Sequence, residues 1–355
     1  IKTVIVDEIS MCRSDLFIWL SETLKLAENK YKHPIQLVVV GDFYQLPPVL
    51  ATLAEKEYFA NGKVYAFKTA EWKSWHFKPV VLHQVIRQTN NEFSKALTSI
   101  REGNTKYIHY LNSKSAKNPI NKAITVVSTN KEANTINLKK VNSLQGNWKI
   151  YNSQVSGKIN DQDKPTPDRI KLKVGALVVF TANASDNTYT NGTLATVTQL
   201  NTDYIKVKIE NSSEEITVFP FNWTIYDYRL VKEDNRRKLK KVQIGEYQQL
   251  PVKLGYAITI HKSQGQTYPA ANIAPAGWLS GLLYVALSRV KDINQLHLLH
   301  KIEPNMVNAD PTVIEFYKHL DHESKRYSGG TVTMKIPMIL RKEVQEISQL
   351  DTIQI

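Results

Sequence analysis

Cysteine is almost missing from this chain of 355 residues. The lone Cys12 excludes an internal disulfide framework and any multi-thiolate zinc or iron–sulfur centre. A reducing compartment fits that scarcity. Long hydrophobic runs are also missing: the longest uncharged stretch, between Lys262 and Arg289, is broken by Gly265, Pro269, Pro275 and Gly277, which excludes it as a membrane span. Glycine is sparse, and none of the 14 glycines opens a G-x-x-x-x-G-K-[ST] segment. Gly62-Lys63 runs into Val64, and Gly157-Lys158 into Ile159. A phosphate-cradling loop with its lysine is therefore not encoded in these residues. Acidic residues are in the minority, 33 against 46 basic ones, for a net charge of +13. That balance favours a polyanionic partner, nucleic acid first.

What is present is organised as alternating units. With 42% hydrophobic residues, the chain is long enough for two or three packed bodies. Residues 2–6 form a β-branched apolar run without alternation, expected as a strand buried on both faces. Leu16, Trp19, Leu20, Leu24 and Ala27 then recur at helical spacing up to Pro34, and a second buried run follows at 36–42. This is the length of a parallel strand–helix–strand crossover, so residues 1–82 read as part of a first α/β lobe. Residues 83–168 open a second lobe, with a helix at 92–101 closed by Gly103, a linker at 112–122 and a buried strand at 123–128. Residues 169–248 change character. Short β-type runs separated by turn signals such as Asn191-Gly192 predict a small antiparallel barrel inserted into that lobe. Residues 249–302 resume the buried α/β style. Residues 303–355 hold a helix near 311–326 and an extension. The basic run at 231–241 reads either as a solvated hairpin or as a charged patch.

Several residues sit where chemistry is done. Asp7-Glu8 and Gly41-Asp42 each close an apolar strand, which places them at the carboxyl edge of a parallel sheet, where such folds bind ligands. A solvated strand end would look the same. Gln45 is a neutral side chain able to donate and accept, suited to a phosphate or a water, and equally able to cap the turn before Pro47-Pro48. Arg289 directly follows the apolar stretch 282–287, an odd place for a solvated charge. His261-Lys262-Ser263-Gln264-Gly265 follows a buried strand and ends in a glycine that permits close backbone approach. Tyr189, Tyr204, Trp223 and Tyr226 either stack on bases or fill the barrel.

Five segments in order carry a resemblance: VDEIS at 6–10, GDFYQLPPV at 41–49, VIRQ at 85–88, AITIHKSQGQT at 257–267 and YVALSRV at 284–290. Over residues 1–302 the chain resembles superfamily I helicases, within them the Pif-type, RecD-like group that moves 5′ to 3′. The resemblance implies RecA-like lobes of the P-loop NTPase class with an inserted Src-homology-3-like barrel. NGTLATV at 191–197 is similar to that barrel's NGxxGxV turn, Ala195 replacing the second glycine. It implies ATP and Mg²⁺ as cofactors, Asp7 toward the metal, Glu8 as acceptor of the attacking water's proton, Gln45 on the γ-phosphate, and Arg87 and Arg289 entering the cleft from the second lobe. Gly41, Asp42, Gln264 and Gly265 would lie near the nucleotide. His261, Lys262 and Ser263 would meet the phosphodiester backbone, and Thr129 and Asn130 the strand. Single-stranded and forked DNA are the implied partners of a monomeric motor, with nuclease subunits added if the chain is of RecD type. The compartment would be the nucleoid-bearing cytoplasm in a bacterium, the nucleus or mitochondrion in a eukaryote. In this family the Walker A segment precedes the VVDE-type residues, so the chain is expected to be a carboxy-terminal portion of a complete motor. The alternative is a shortened, nucleotide-blind relative that binds nucleic acid.

Overall fold

β1 (Thr3–Val6) and β2 (Gln36–Val39) pair in parallel, Thr3 opposite Gln36 and Val6 opposite Val39, and α1 (Ser14–Tyr31) makes the crossover. The computed structural model describes residues 1–327 except Ala51, Asn61, His83, Gln84, Ile86, Thr89, Lys122, Asn211, Ser213, Asp234 and Asn235. Arg13 anchors the start of α1 through Asp15 and Glu55, at 2.8 and 2.7 Å. Lys32, left-handed at φ 51°, ends it two residues before Pro34. The face that packs holds Phe17, Leu20, Ser21 and Leu24, whereas Leu16 and Trp19 point to solvent. Leu20 and Leu24 thus pack as their spacing places them, while Phe17, not Leu16 or Trp19, completes the buried face. β1 also departs from expectation: Ile5 is 66% exposed. Among the described residues this sheet is two strands wide, and Val4 and Val6 of β1 with Leu37 and Val39 of β2 turn toward the lobe's aromatic core.

That core is built on Phe43. Its ring meets Phe67 edge-on at 4.8 Å and Trp72 at 6.0 Å. Two short helices, α2 (Leu53–Tyr58) and α3 (Ala70–Ser74), frame it, each started by a threonine cap, Thr52 and Thr69.

The second lobe begins with α4 (Asn91–Arg101), capped by the Asn90 side chain and stopped before left-handed Gly103. α5 (Ile108–Lys114) takes up part of what spacing read as a linker. β3 (Ile124–Val127) is buried at all four positions, and α6 (Asn130–Asn142) follows.

The chain then leaves the lobe. β4 (Lys149–Asn152) pairs with β6 (Arg169–Leu172), and β5 (Gln154–Gly157) with the long hairpin of β11 (Phe221–Glu233) and β12 (Arg236–Gln249). β7 (Leu177–Phe180), β8 (Leu194–Leu200), β9 (Ile205–Ile209), β10 (Glu215–Val218) and β13 (Val252–Leu254) form a five-stranded antiparallel sheet, ordered β10-β9-β8-β7-β13. Antiparallel pairing therefore extends from Lys149 to Leu254, beyond the 169–248 span assigned from composition. Phe180, Val197, Ile205, Val207 and fully buried Ala195 fill its core. Tyr189 stacks on Phe180 at 3.8 Å, a packing role rather than a base platform. The side chains of the basic run at 231–241 lie outside the described residues, as does the extension at 328–355.

β14 (Ala257–Thr259) re-enters beside β3. After it come the single turn α7 (Ile260–Ser263), β15 (Ala271–Ile273), α8 (Leu282–Leu287) and β16 (Leu296–Leu298). The sheet β14-β3-β15-β16 is parallel throughout. Asn137 of α6 fastens the re-entry, its amide bonded to both the N–H and the C=O of Ala257 at 2.9 and 3.0 Å. Finally α9 (Pro311–Tyr327) crosses back to the first lobe, where Val313 is buried and Phe316 stacks on Phe67 at 4.1 Å.

Candidate active site

The end of β1 bends sharply. Glu8 adopts the left-handed conformation at φ 50°, uncommon for a residue with a Cβ, and its N–H donates to Asp7 Oδ1 at 2.8 Å. The Ile9 N–H donates to Val40 O at 2.9 Å, which draws the ends of β1 and β2 together. Only glycine fits at 41, since a Cβ there would lie 2.9 Å from Ile9 N. Gly41 therefore acts by letting the Asp7-Glu8 corner close.

The second lobe meets that corner directly. Gln264 Nε2 donates to Glu8 Oε2 at 3.0 Å, while Gln264 Oε1 is buried with no hydrogen-bond partner. Gly265 follows, left-handed at φ 75°, with open space where a Cβ would stand. The loop is held from beneath by Arg289, which is 2% exposed. Its guanidinium donates to Val285 O at 2.7 Å, to Ser263 O and Gln266 O at 2.9 Å, and to Ser288 Oγ at 2.7 Å. Four of its five N–H groups are thus spent inside its own lobe. Burial first, and then the neighbouring Arg87 charge, push its pKa down to about 10, with Glu8 acting in the opposite sense. Among the described residues no carboxylate pairs with it. Arg289 was expected to reach into the cleft; the structure makes it a buried strut for the 263–266 loop, within the field of Glu8. Arg87 is the exposed member of the pair, 3.5 Å from Ser288 O.

Gln45 lies at the lobe boundary, half-buried, its N–H bonded to Asp42 O at 2.9 Å. Gly281 of the second lobe presses on it so closely that a Cβ would sit 2.5 Å from Gln45 O. Asp42, expected near the nucleotide, is instead committed to Arg101, which grips both carboxylate oxygens at 2.8 and 3.2 Å. Ser263 needs the same correction. It is fully buried and its hydroxyl donates to Ile260 O at 2.8 Å, so it offers no surface to a phosphodiester. Lys262 is exposed, and His261 is half-buried, its pKa lowered by burial. Thr129 spends its side chain on a capping box with Glu132, and Asn130 is exposed at the start of α6. These residues share the carboxyl edge of adjacent strands β14 and β3.

Two residues at this edge escaped the sequence reading. Lys253 on β13 lies beside Lys262, and its pKa is lowered by burial and then by that second charge. Trp278, in the loop after β15, is 62% exposed with its ring 6.5 Å from that of His261. Neither carries a local sequence signal, because each is brought in from a separate element.

The donor set accommodates a magnesium nucleotide. Asp7 is exposed with one oxygen engaged by the Glu8 N–H, as suits a cation whose other ligands are phosphates and waters. Among the described residues no three His, Cys, Asp or Glu side chains gather into a metal cage. The buried, unpartnered Gln264 oxygen, on the amide that meets Glu8, fits a ligand or water that brings a donor.

Two α/β lobes built on parallel strands, with a carboxylate corner on one met by the Gln264 amide of the other, are consistent with the RecA-like lobes of a helicase. A family model for PIF1-like helicases matches residues 1–110. The chain is 30% identical over 347 residues to the ATP-dependent DNA helicase Pif1 of Campylobacter jejuni, covering 90% of this chain and 75% of that one. It is also 30% identical to PIF1 of Xenopus laevis, covering 91% of this chain and 50% of that protein. Bacteroides Pif1 with ADP-AlF4 superposes at a TM-score of 0.72 and 29% identity, over 91% of this chain and 76% of that one. Bacteroides Pif1 with ADP-AlF3 and single-stranded DNA superposes at 0.70. The chain belongs to the PIF1-like helicase family.

Proposed function

We propose that this chain works in an ATP-dependent DNA helicase that translocates 5′ to 3′ on single-stranded DNA and unwinds forked duplex. The observation that carries the reading is the Gln264–Glu8 hydrogen bond, which joins the expected hydrolytic carboxylate to the expected DNA-tracking lobe. Relatives crystallised with ADP-AlF4 and with single-stranded DNA support it.

In this reading ATP lies between the lobes; Asp7 would hold a Mg²⁺ ion, whose charge would neutralise that developing on the phosphates. Glu8 accepts a proton from the attacking water, Gln45 orients that water or the γ-phosphate, and Arg87 supplies the mobile positive charge. Arg289 keeps Gln264 in place. The loop that cradles the phosphates is not among these 355 residues, so the complete cleft needs a segment contributed from elsewhere. DNA passes over the edge of β14 and β3, where His261, Lys262, Lys253 and Asn130 meet the backbone. Phosphate contacts dominate, so binding is salt-sensitive and weakly dependent on sequence. The working units are residues 1–82, the second lobe at 83–148 and 257–302, and an insertion at 149–254 whose five-stranded sheet acts as a small Src-homology-3-like barrel over the strand. The motor is a monomer. Its compartment is the one that holds the DNA.

Strand displacement by the intact helicase tests this on two forked substrates, one with a 5′ and one with a 3′ single-stranded loading tail. ATP-dependent unwinding from the 5′ tail alone is expected. Unwinding only from the 3′ tail overturns the polarity, and DNA binding without hydrolysis overturns the motor.

A further inference from the structure

Asp42, freed from the nucleotide, has a different set of partners. Arg101, the last residue of α4, holds it by two hydrogen bonds at 2.8 and 3.2 Å. The same guanidinium lies 4.3 Å from the centre of the Tyr44 ring and 5.3 Å from that of Tyr317. The two rings are themselves stacked at 4.5 Å and 17°. The Tyr317 hydroxyl donates to Asp42 Oδ1 at 3.2 Å and accepts from the Phe43 N–H at 3.1 Å. Three parts of the chain, the Asp42–Gln45 turn of the first lobe, α4 of the second and returning α9, thus converge on one carboxylate.

The cluster is not a second phosphate site. Arg101 has its Nε and Nη2 engaged by Asp42, and aromatic rings lie against it. Burial works against its charge, but the hydrogen bonds and charge of Asp42 prevail and hold its pKa up. A guanidinium so engaged is a fixed point rather than a ligand-seeking one.

We propose that Arg101 and Tyr317 are positioning residues that latch the Gln45 turn, so that α9 and the second lobe together set where Gln45 stands. The path is short. Gln45 hangs on Asp42 O through its own N–H, Asp42 hangs on Arg101, and α4 begins four residues after Arg87. Arg101 closes the end of α4 opposite to Arg87, so a displacement of Gln45 is felt at the carboxyl end of that helix. α9 is bound to the first lobe independently of the latch, since the Tyr65 hydroxyl donates to Asp310 at 2.9 Å and Thr312 packs on Gly62. Loss of one latch contact therefore leaves α9 docked.

The inference rests on the proposed hydrolysis, and its test separates the two. In the intact helicase, Tyr317→Phe keeps the stack and deletes only the hydroxyl, and Arg101→Lys keeps the charge without the fork. Each is expected to lower kcat of DNA-stimulated ATP hydrolysis about 5- to 20-fold, as removal of an interaction acting on the transition state does. KM for ATP should change less than about twofold, with single-stranded DNA affinity and Tm close to wild type. The exchange Asp42→Arg with Arg101→Asp should recover part of the rate lost in either single variant. An active wild type with both conservative variants at the parental rate overturns the latch alone. So does a loss of rate that follows the loss of Tm. A wild type unable to hydrolyse ATP overturns both the latch and the motor.

Discussion

Gln264 of the second lobe donates its amide to the Glu8 carboxylate of the first at 3.0 Å. The pair is separated by 256 positions in sequence, and it forms because two unrelated devices aim at one point. The left-handed turn at Glu8 swings the carboxylate out of its strand, and the buried Arg289 guanidinium holds the loop that carries Gln264.

Glu8→Gln preserves this contact, because an amide oxygen can still accept from Gln264, yet it removes the proton acceptor. ATP hydrolysis by the intact helicase should fall about 10²- to 10⁴-fold, while nucleotide affinity stays within about threefold. Steady-state hydrolysis together with equilibrium binding of a fluorescent nucleotide measures both. Hydrolysis near the parental rate would remove Glu8 from the role of base.

The two arginines should separate cleanly. Arg289→Lys leaves a buried charge that cannot satisfy four acceptors, so thermal unfolding should show a loss of about 2–5 kcal/mol. Arg87→Lys, at an exposed site, should leave Tm unchanged and lower hydrolysis by about 10³-fold or more, the scale of an arginine finger. Equal effects on Tm would contradict the assignment of strut to one and mobile charge to the other.

His261 provides a pH signature. Burial lowers its pKa below the ordinary value of 6.5, so between those two values the unfolded chain binds the proton more readily than the folded one. Its neutral burial is free of penalty above pH 6.5, and stability is lost as the pH falls toward the folded pKa. Wild type should therefore lose more Tm between pH 7.5 and pH 5.5 than His261→Gln does. Parallel curves for the two proteins would show that the ring titrates normally.

Burial and then the charge of Lys262 lower the pKa of Lys253, a repulsion that a phosphate would relieve. Lys253→Gln and Lys262→Gln should each weaken single-stranded DNA binding similarly for all sequences. Each should also reduce the slope of log Kd against log salt by about one. Fluorescence anisotropy across a salt series reads both quantities. A slope unchanged in Lys253→Gln would take β13 off the DNA path.

The βαβ unit, the second lobe's strands, the final helix and the resemblance were legible because they rest on local signals: apolar runs, caps, Pro34 and ordered motifs. Helical phase was less so. Leu16 and Trp19 match the spacing as well as Phe17 does, and only the aromatic cluster around Phe43 decides which face is buried. Site roles were harder still. Nothing beside Asp42 in sequence announces Arg101 or Tyr317, and Ser263 looks like a surface hydroxyl until Arg289 is seen to draw its carbonyl inward. Lys253 and Trp278 were missed for the same reason, since their significance arises from elements that meet only after folding.

The re-entry point at Asn137 has a further consequence. Chain departs after α6 and comes back as β14, next to the very strand that preceded the departure, with one amide riveting the seam. The excursion from Lys149 to Leu254 is therefore topologically a cassette. The parallel order β14-β3-β15-β16 closes without any strand of the excursion, so shortening or replacing it should leave the strand order of the lobe beneath intact.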